Sequence, residues 1–334
     1  MIDPEIAGLY ARFFDGIPVS AERVDTSRGE ADIRNTFLIT ADTGEKYVLK
    51  LASNDFTFPE KIRVWQRTVE EYRGLGYYCP RIYADRDGAF PEIDREGRLC
   101  VAWGEEFSKY KPFDDRTASD EDGPLADSRP YLRDVWTMTA KIAAKKLDYT
   151  DYPSGYCLFE TFCPSDETDE VLDNALEWKR RAATLPERFS AQVKRIWKLW
   201  TDNREALKPL YARLPRSVFQ ADLNSTNLLI DEEGAFRGVY DFNLCGRDVF
   251  LNYLMRENDT ETIPEALRIA REVYDFSEEE KAAALPLFRC LKPLWYSRVY
   301  DLEQAGDDPE KIRQCLDRAE RDLTEDRDLR SEME

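Results

Sequence analysis

Residues 218–248, VFQADLNSTNLLIDEEGAFRGVYDFNLCGRD, constrain this chain more than any other stretch. Leu228, Leu229 and Ile230 form one apolar run, and a second begins at Phe236. Between them Asp231-Glu232-Glu233-Gly234 is rich in turn-forming residues, so the segment reads as a β-hairpin. Three oxygen-bearing side chains punctuate it: Asp222, Asn227 and Asp241. Asn227 and Asp241 are equidistant from Gly234, and residues equidistant from a hairpin turn face each other across the two strands. A carboxamide oxygen and a carboxylate on neighbouring strands suit one hard cation such as Mg2+. Asp222 precedes the first strand, on a loop where it can face a substrate.

Phosphoryl transfer calls for this set. It needs a carboxylate to orient or deprotonate the attacking hydroxyl, and oxygen ligands for a metal that neutralises phosphate charge. The stretch resembles the catalytic segment of the aminoglycoside phosphotransferase and choline kinase superfamily, a branch of the protein-kinase-like fold. The resemblance implies that Asp222 orients the acceptor hydroxyl, and that Asn227 and Asp241, the latter followed by Phe242, bind Mg2+. The family usually has His two residues before and two after the catalytic Asp. Here those positions hold Gln220 and Asn224, and the chain contains no His. Gln220 can both donate and accept hydrogen bonds and so can support the loop. The lack of His excludes a Ser-His-Asp triad, a Cys-His dyad and a His-ligated zinc within this chain.

Upstream, the pattern is strand-rich. Pro18 to Asp25, Ile33 to Thr40 and Lys46 to Ala52 read as strands, after a short amphipathic helix carrying Ile6, Leu9, Tyr10 and Phe13. The loop between the first two strands holds Ser27 and Gly29. It reads either as a plain hairpin turn or, by the resemblance, as the loop that covers the nucleotide phosphates. In the third strand Lys50 alternates with Leu49 and shares a face with Val48. That places it toward an interior or, as a strand-end lysine, snorkelling to solvent. The resemblance implies that Lys50 binds the α- and β-phosphates.

Pro59 to Gly76 reads as a helix with Ile62, Trp65, Val69 and Tyr72 on its buried stripe. The family pairs the lysine with a Glu on this helix; by phase the nearest position is Gln66, with Glu70 at the edge of that face. Arg98 to Trp103 is a further strand, and the resemblance implies that Glu105-Glu106-Phe107 is the hinge, where backbone groups, of Glu106 and Phe107 among them, meet the nucleotide base. Asp114 to Pro130 is polar, acidic and broken by Pro and Gly, an insertion or linker. Helical patterns follow over Tyr131 to Leu147, Glu170 to Thr184, Arg188 to Leu210 and parts of 265–334. The segment from Leu147 to Pro164 groups Tyr149, Tyr152 and Tyr156 with Asp148 and Asp151. It reads either as a cation- or sugar-binding surface or as a packed loop.

These readings give an α+β, two-lobed protein-kinase-like fold. The β-rich nucleotide-binding lobe spans 1–107, and the mainly helical catalytic and substrate-binding lobe spans 108–334. The expected activity is a small-molecule kinase using Mg2+ and ATP or GTP, with a hydroxyl-bearing small molecule as acceptor. The alternative is a catalytically silent nucleotide- or ligand-binding protein on the same fold. The net charge of −19 disfavours nucleic acid and anionic membrane partners; it either favours cationic small molecules or serves solubility alone. No apolar run is long enough to span a bilayer. The N-terminus lacks signal-peptide character, and seven cysteines without CxxC spacing fit a reducing cytoplasm. Monomer and dimer stay open.

Overall fold

The computed structural model of the chain describes residues 2–95, 97–114 and 126–334. In order, its elements begin with α1 (Pro4–Phe13), β1 (Pro18–Asp25), β2 (Ile33–Ala41), β3 (Lys46–Ser53), α2 (Pro59–Gly74), β4 (Ile82–Tyr83), β5 (Glu92–Arg95), β6 (Arg98–Glu106) and β7 (Lys111–Pro112). There follow α3 (Leu132–Ala144), α4 (Glu170–Ala182), α5 (Ser190–Tyr211), β8 (Arg216–Phe219), β9 (Leu228–Ile230), β10 (Phe236–Val239) and β11 (Gly246–Val249). The chain closes with α6 (Phe250–Glu257), α7 (Ile263–Ala270), α8 (Glu278–Leu291), α9 (Tyr296–Ala305) and α10 (Pro309–Thr324). The fold is thus α+β, as expected.

The chain divides into two compact units that interleave in sequence. One comprises Met1–Asp134, Cys163–Ser165 and Asp222–Gly246; the other comprises Val135–Phe162, Asp166–Ala221 and Arg247–Glu334. The expected division at 107/108 was a single cut. The compact units instead assign the hairpin of β9 and β10 to the strand-rich unit.

That first unit is built on an antiparallel sheet ordered β1-β2-β3-β6-β4, with β5 also pairing β6. Along β2, Asn35, Phe37, Ile39 and Ala41 are buried at period two, the mark of a strand with one face covered. Phe37, Ile39 and Ala41 join Leu49 and Leu51 of β3 under Ile6, Leu9, Tyr10 and Phe14 from α1 and its C-terminal end. Phe14 stacks on Tyr47 with ring centroids 4.3 Å apart. A Cβ on Gly104 would come within 2.5 Å of the Phe14 ring, so β6 needs glycine there. Helix α2 buries the expected stripe, Ile62, Trp65, Val69 and Tyr72, and Trp65 meets Trp103 of β6 edge-on at 6.0 Å.

The second unit is mostly helical, around the buried side chains Trp178, Trp200, Tyr211, Phe219, Phe250, Tyr253 and Phe288. The Trp200 indole donates to the Cys290 carbonyl at 2.9 Å and ties α5 to α8. A Ser277–Glu280 capping box starts α8. Arg204 and Asp169, both buried, form an ion pair between α5 and the N-cap of α4. Among the described residues no helix is long and apolar enough to cross a membrane.

Candidate active site

The hairpin forms, but its register is one residue away from the symmetric expectation. Leu228 pairs with Val239 and Leu229 with Gly238, whereas Ile230 pairs with Phe236. The irregularity leaves Arg237 as a bulge. Asn227 therefore faces Tyr240, whose amide donates to the Asn227 carbonyl at 3.2 Å, and Asp241 sits one residue further on. The reason lies on the other side of β10. The Tyr78 amide donates to the Arg237 carbonyl at 2.8 Å, and the Val239 amide donates to the Tyr78 carbonyl at 3.1 Å. Satisfying the backbone of Tyr78 and that of β9 together requires the extra residue. Gly238 lies against Tyr78 so closely that a Cβ there would stand 1.7 Å from the Tyr78 carbonyl oxygen.

Asp222 and Asn227 are brought together by a 3-10 turn, Ser225–Asn227, not by strand pairing. Asn224 caps the turn by accepting from the Thr226 amide at 3.0 Å, and its own amide donates to Asp222 Oδ1 at 3.0 Å. Asn227, only 6% exposed, donates from Nδ2 to the Asp222 carbonyl at 2.9 Å and to Asp222 Oδ2 at 3.1 Å. The two asparagines thus hold the half-buried Asp222 carboxylate by both oxygens. Just before it, the Arg256 guanidinium of α6 donates to the Ala221 carbonyl at 2.5 Å.

Asp241 has φ +58° and ψ +71°, the left-handed region that few non-glycine residues enter. Aspartate tolerates it better than most. The turn sends Phe242 into the core, 5% exposed and edge-on to Tyr72 of α2 at 5.6 Å. Tyr240, next to Asp241, has its phenol pushed up to about 12, first by burial and then by the Asp241 charge.

Lys50 lies on the Val48 face of β3, the interior choice of the two readings of its strand, with a side chain 19% exposed. Its Nζ is 3.1 Å from Glu105 Oε2. Burial alone would lower the lysine's pKa; Glu105 and then Asp241 outweigh it, and the net direction is upward. Gln66 lies elsewhere: its amide donates to the Ile82 carbonyl of β4 at 2.9 Å, and Glu70 pairs with Arg81 at 3.1 Å.

Ser27 and Gly29 sit in the β1–β2 turn. The Ser27 hydroxyl donates to Asp25 Oδ1 at 2.6 Å and accepts from the Arg34 amide at 2.9 Å. Gly29 has φ +102°. Glu106, expected in a hinge, is the last residue of β6. Its amide donates to the Arg81 carbonyl at 2.8 Å, and its carboxylate accepts from Tyr78 Oη at 3.0 Å and from Arg73 at 3.2 Å. Phe107 follows it, 37% exposed, with Lys46 Nζ 5.2 Å from its ring centroid. Most of the acidic stretch 114–130 lies outside the described residues. At its margins the Ala126 amide and the Ser225 hydroxyl donate to the Asp114 carboxylate, at 2.8 and 3.1 Å. In the aromatic segment Tyr156 is engaged: the Arg256 guanidinium carbon lies 3.4 Å from its ring centroid, and Asn252 donates to its carbonyl at 3.0 Å.

Two residues of this constellation went unread in the sequence. By the resemblance Glu105 reads as hinge, but β6 continues two residues past Trp103 and places Glu105 on the Lys50 face. Asn224 drew notice only as a replaced His.

Among the described residues no three His, Cys, Asp or Glu side chains cluster to hold a metal by themselves. A hard cation needs fewer protein ligands when phosphates and water complete its shell, and the donors Asn227 and Asp241 are both oxygen. Asn227 commits its nitrogen to Asp222, which turns its carbonyl oxygen away from that carboxylate. The residues present fit such a group.

The sequence profile of the phosphotransferase enzyme family matches residues 26–255. No protein of curated function matches the sequence. Among solved structures, the microcompartment-associated aminopropanol kinase superposes with a TM-score of 0.55 at 16% identity, covering 96% of this chain and 95% of that one. An amicoumacin kinase in complex with AMP-PNP, Ca2+ and Ami gives 0.53 at 13% identity, with 97% and 93% covered. At those identities the likeness is one of fold.

Proposed function

This chain belongs to the phosphotransferase enzyme family, and from that premise we propose that it transfers the γ-phosphate of ATP or GTP to the hydroxyl of a small molecule. The observation that carries the reading is the charge pattern in the first unit. A half-buried lysine pairs with the Glu105 carboxylate at 3.1 Å, in the same unit as Asp241 and as an aspartate whose two oxygens are fixed by two asparagines.

In this reading Asp222 receives the acceptor hydroxyl and draws its proton as the oxygen attacks phosphorus. Its two asparagine bonds keep the carboxylate from rotating away, so orientation is set before the acceptor arrives. Lys50 binds phosphate oxygens as a point charge. Asn227 Oδ1 and the Asp241 carboxylate would hold Mg2+, which neutralises charge on the phosphates. Most of the acceleration then comes from positioning and charge neutralisation. The loop containing Ser27 and Gly29, and the end of β6 with Glu106 and Phe107, are assigned to the phosphates and the base. A net charge of −19 favours a cationic acceptor, and the aminopropanol named for one fold relative carries an amine beside its hydroxyl.

The test is heat denaturation with Mg2+-ATP and Mg2+-GTP, followed by a screen of hydroxyl compounds for phosphate transfer. A ligand at about 100 times its Kd that binds only the folded state adds roughly 2.7 kcal/mol. Asp222→Asn is expected to keep that shift and to lose transfer. Absence of any shift with either nucleotide would sink the reading.

A further inference from the structure

Lys50 has a carboxylate partner, and that partner is on a strand. Trp103 of β6 stands opposite Lys50 of β3, and Glu105 stands opposite Val48. Lys50 and Glu105 are therefore diagonal neighbours on one sheet face, close enough for two long side chains to meet. The two carboxylate oxygens have different duties. Oε2 takes the Lys50 ammonium at 3.1 Å, and Oε1 accepts from the Trp103 indole at 2.7 Å. Trp103 is in turn wedged edge-on against Trp65 of α2. Glu105 is thus held at both oxygens, with its side chain 15% exposed.

The other candidate groups are occupied. Gln66 serves the Ile82 carbonyl, Glu70 serves Arg81, and the Glu106 carboxylate is shared among Arg73, Tyr78 and the Arg81 amide. Without Glu105, the carboxylate left to draw on the Lys50 ammonium would be Asp241. We propose that Glu105 is a positioning residue: clamped by the Trp103 indole, it holds the Lys50 ammonium in place for nucleotide phosphates and away from Asp241. Because both residues belong to adjacent strands of one sheet, the pairing is set by strand register and needs no movement of α2. The proposal rests on the reading of Lys50 as a phosphate-binding residue.

A double-mutant cycle tests it. Mg2+-nucleotide affinity is measured by calorimetry for the unsubstituted protein, Lys50→Ala, Glu105→Gln and the double variant. A glutamine offers one acceptor where Lys50 and Trp103 need two. Glu105→Gln is expected to weaken nucleotide binding by about tenfold, and to add nothing in the Lys50→Ala background. Unchanged affinity in Glu105→Gln, or losses that simply add in the double variant, overturns the positioning role and leaves the nucleotide site standing. No binding by the unsubstituted protein overturns the site reading and the proposal with it. Should Glu105→Gln fail to fold, Trp103→Phe removes the indole donor and keeps both charges. A loss of affinity that disappears in the Lys50→Ala background supports the clamp, and unchanged affinity overturns it.

Discussion

Asp241 combines two demands that single residues rarely meet. It carries the carboxylate of the proposed metal site, and it sits in the left-handed backbone region that starts the Phe242–Leu244 turn. Strained backbone of this kind costs on the order of 1–3 kcal/mol and persists where its surroundings enforce it. Asparagine tolerates the same region, so Asp241→Asn is expected to keep the melting temperature and to lose metal-dependent nucleotide affinity; retained affinity in titration calorimetry would remove Asp241 from the metal site. Lys292 poses a different problem. It is buried, its ammonium donates to the Arg256 carbonyl at 2.9 Å, and burial lowers its pKa from 10.5 to about 8. Below pH 8 it is charged in the folded and unfolded chain alike and carries its full desolvation cost. Between pH 8 and 10.5 the unfolded chain binds the extra proton, so this group makes stability rise with pH. Chemical denaturation of the wild type and Lys292→Met across that window should show the wild type gaining, relative to the variant, up to about 3 kcal/mol.

At the scale of elements, hairpin β9–β10 shows what a sequence pattern resolves and what it leaves out. Apolar runs around an acidic turn announce two strands, because strand formation there depends on local burial and turn chemistry. The bulge at Arg237 answers to the Tyr78 backbone, far away in sequence, and the apolar pattern of the two strands does not encode it. Gly238 is the one residue that marks it, since glycine inside a strand signals close approach of another backbone. Gly238→Ala is therefore expected to destabilise the protein by about 1–3 kcal/mol or more through overpacking, read as a lower thermal midpoint. An unchanged midpoint would mean that β10 relaxes away from Tyr78. The helical stripe of α2 was equally legible, yet its partner choice was not: helical phase brings Gln66 near the sheet, but the Ile82 carbonyl of β4 takes its amide.

At the scale of the whole molecule, the strand-rich unit is discontinuous. Residues 222–246 return to it after a long helical excursion, pair β9 with β7, and dock β10 on Tyr78. A fragment of residues 1–107 alone would lack β7 and the hairpin and would leave the Tyr78 backbone without its β10 partners. We expect such a fragment to give poorly dispersed amide resonances, whereas a well-dispersed, cooperatively melting spectrum would show that the hairpin is dispensable for folding. The same discontinuity explains why a single boundary at 107/108 suited the sequence: composition changes once, from strand-like to helical, while chain contacts do not follow composition.

Local patterning by itself determined the element types, the buried stripe of α2, the hairpin and the identities of Lys50, Asp222, Asn227 and Asp241 as residues of interest. Alternation, turn residues and motif spacing depend on neighbours within a few positions, which a sequence displays directly. Tertiary structure alone decided that Glu105 meets Lys50 and that Asn227 faces Tyr240 and not Asp241. Each of these depends on strand register or on a backbone segment distant in sequence. A one-residue shift in register exchanges every facing pair without changing the composition of either strand.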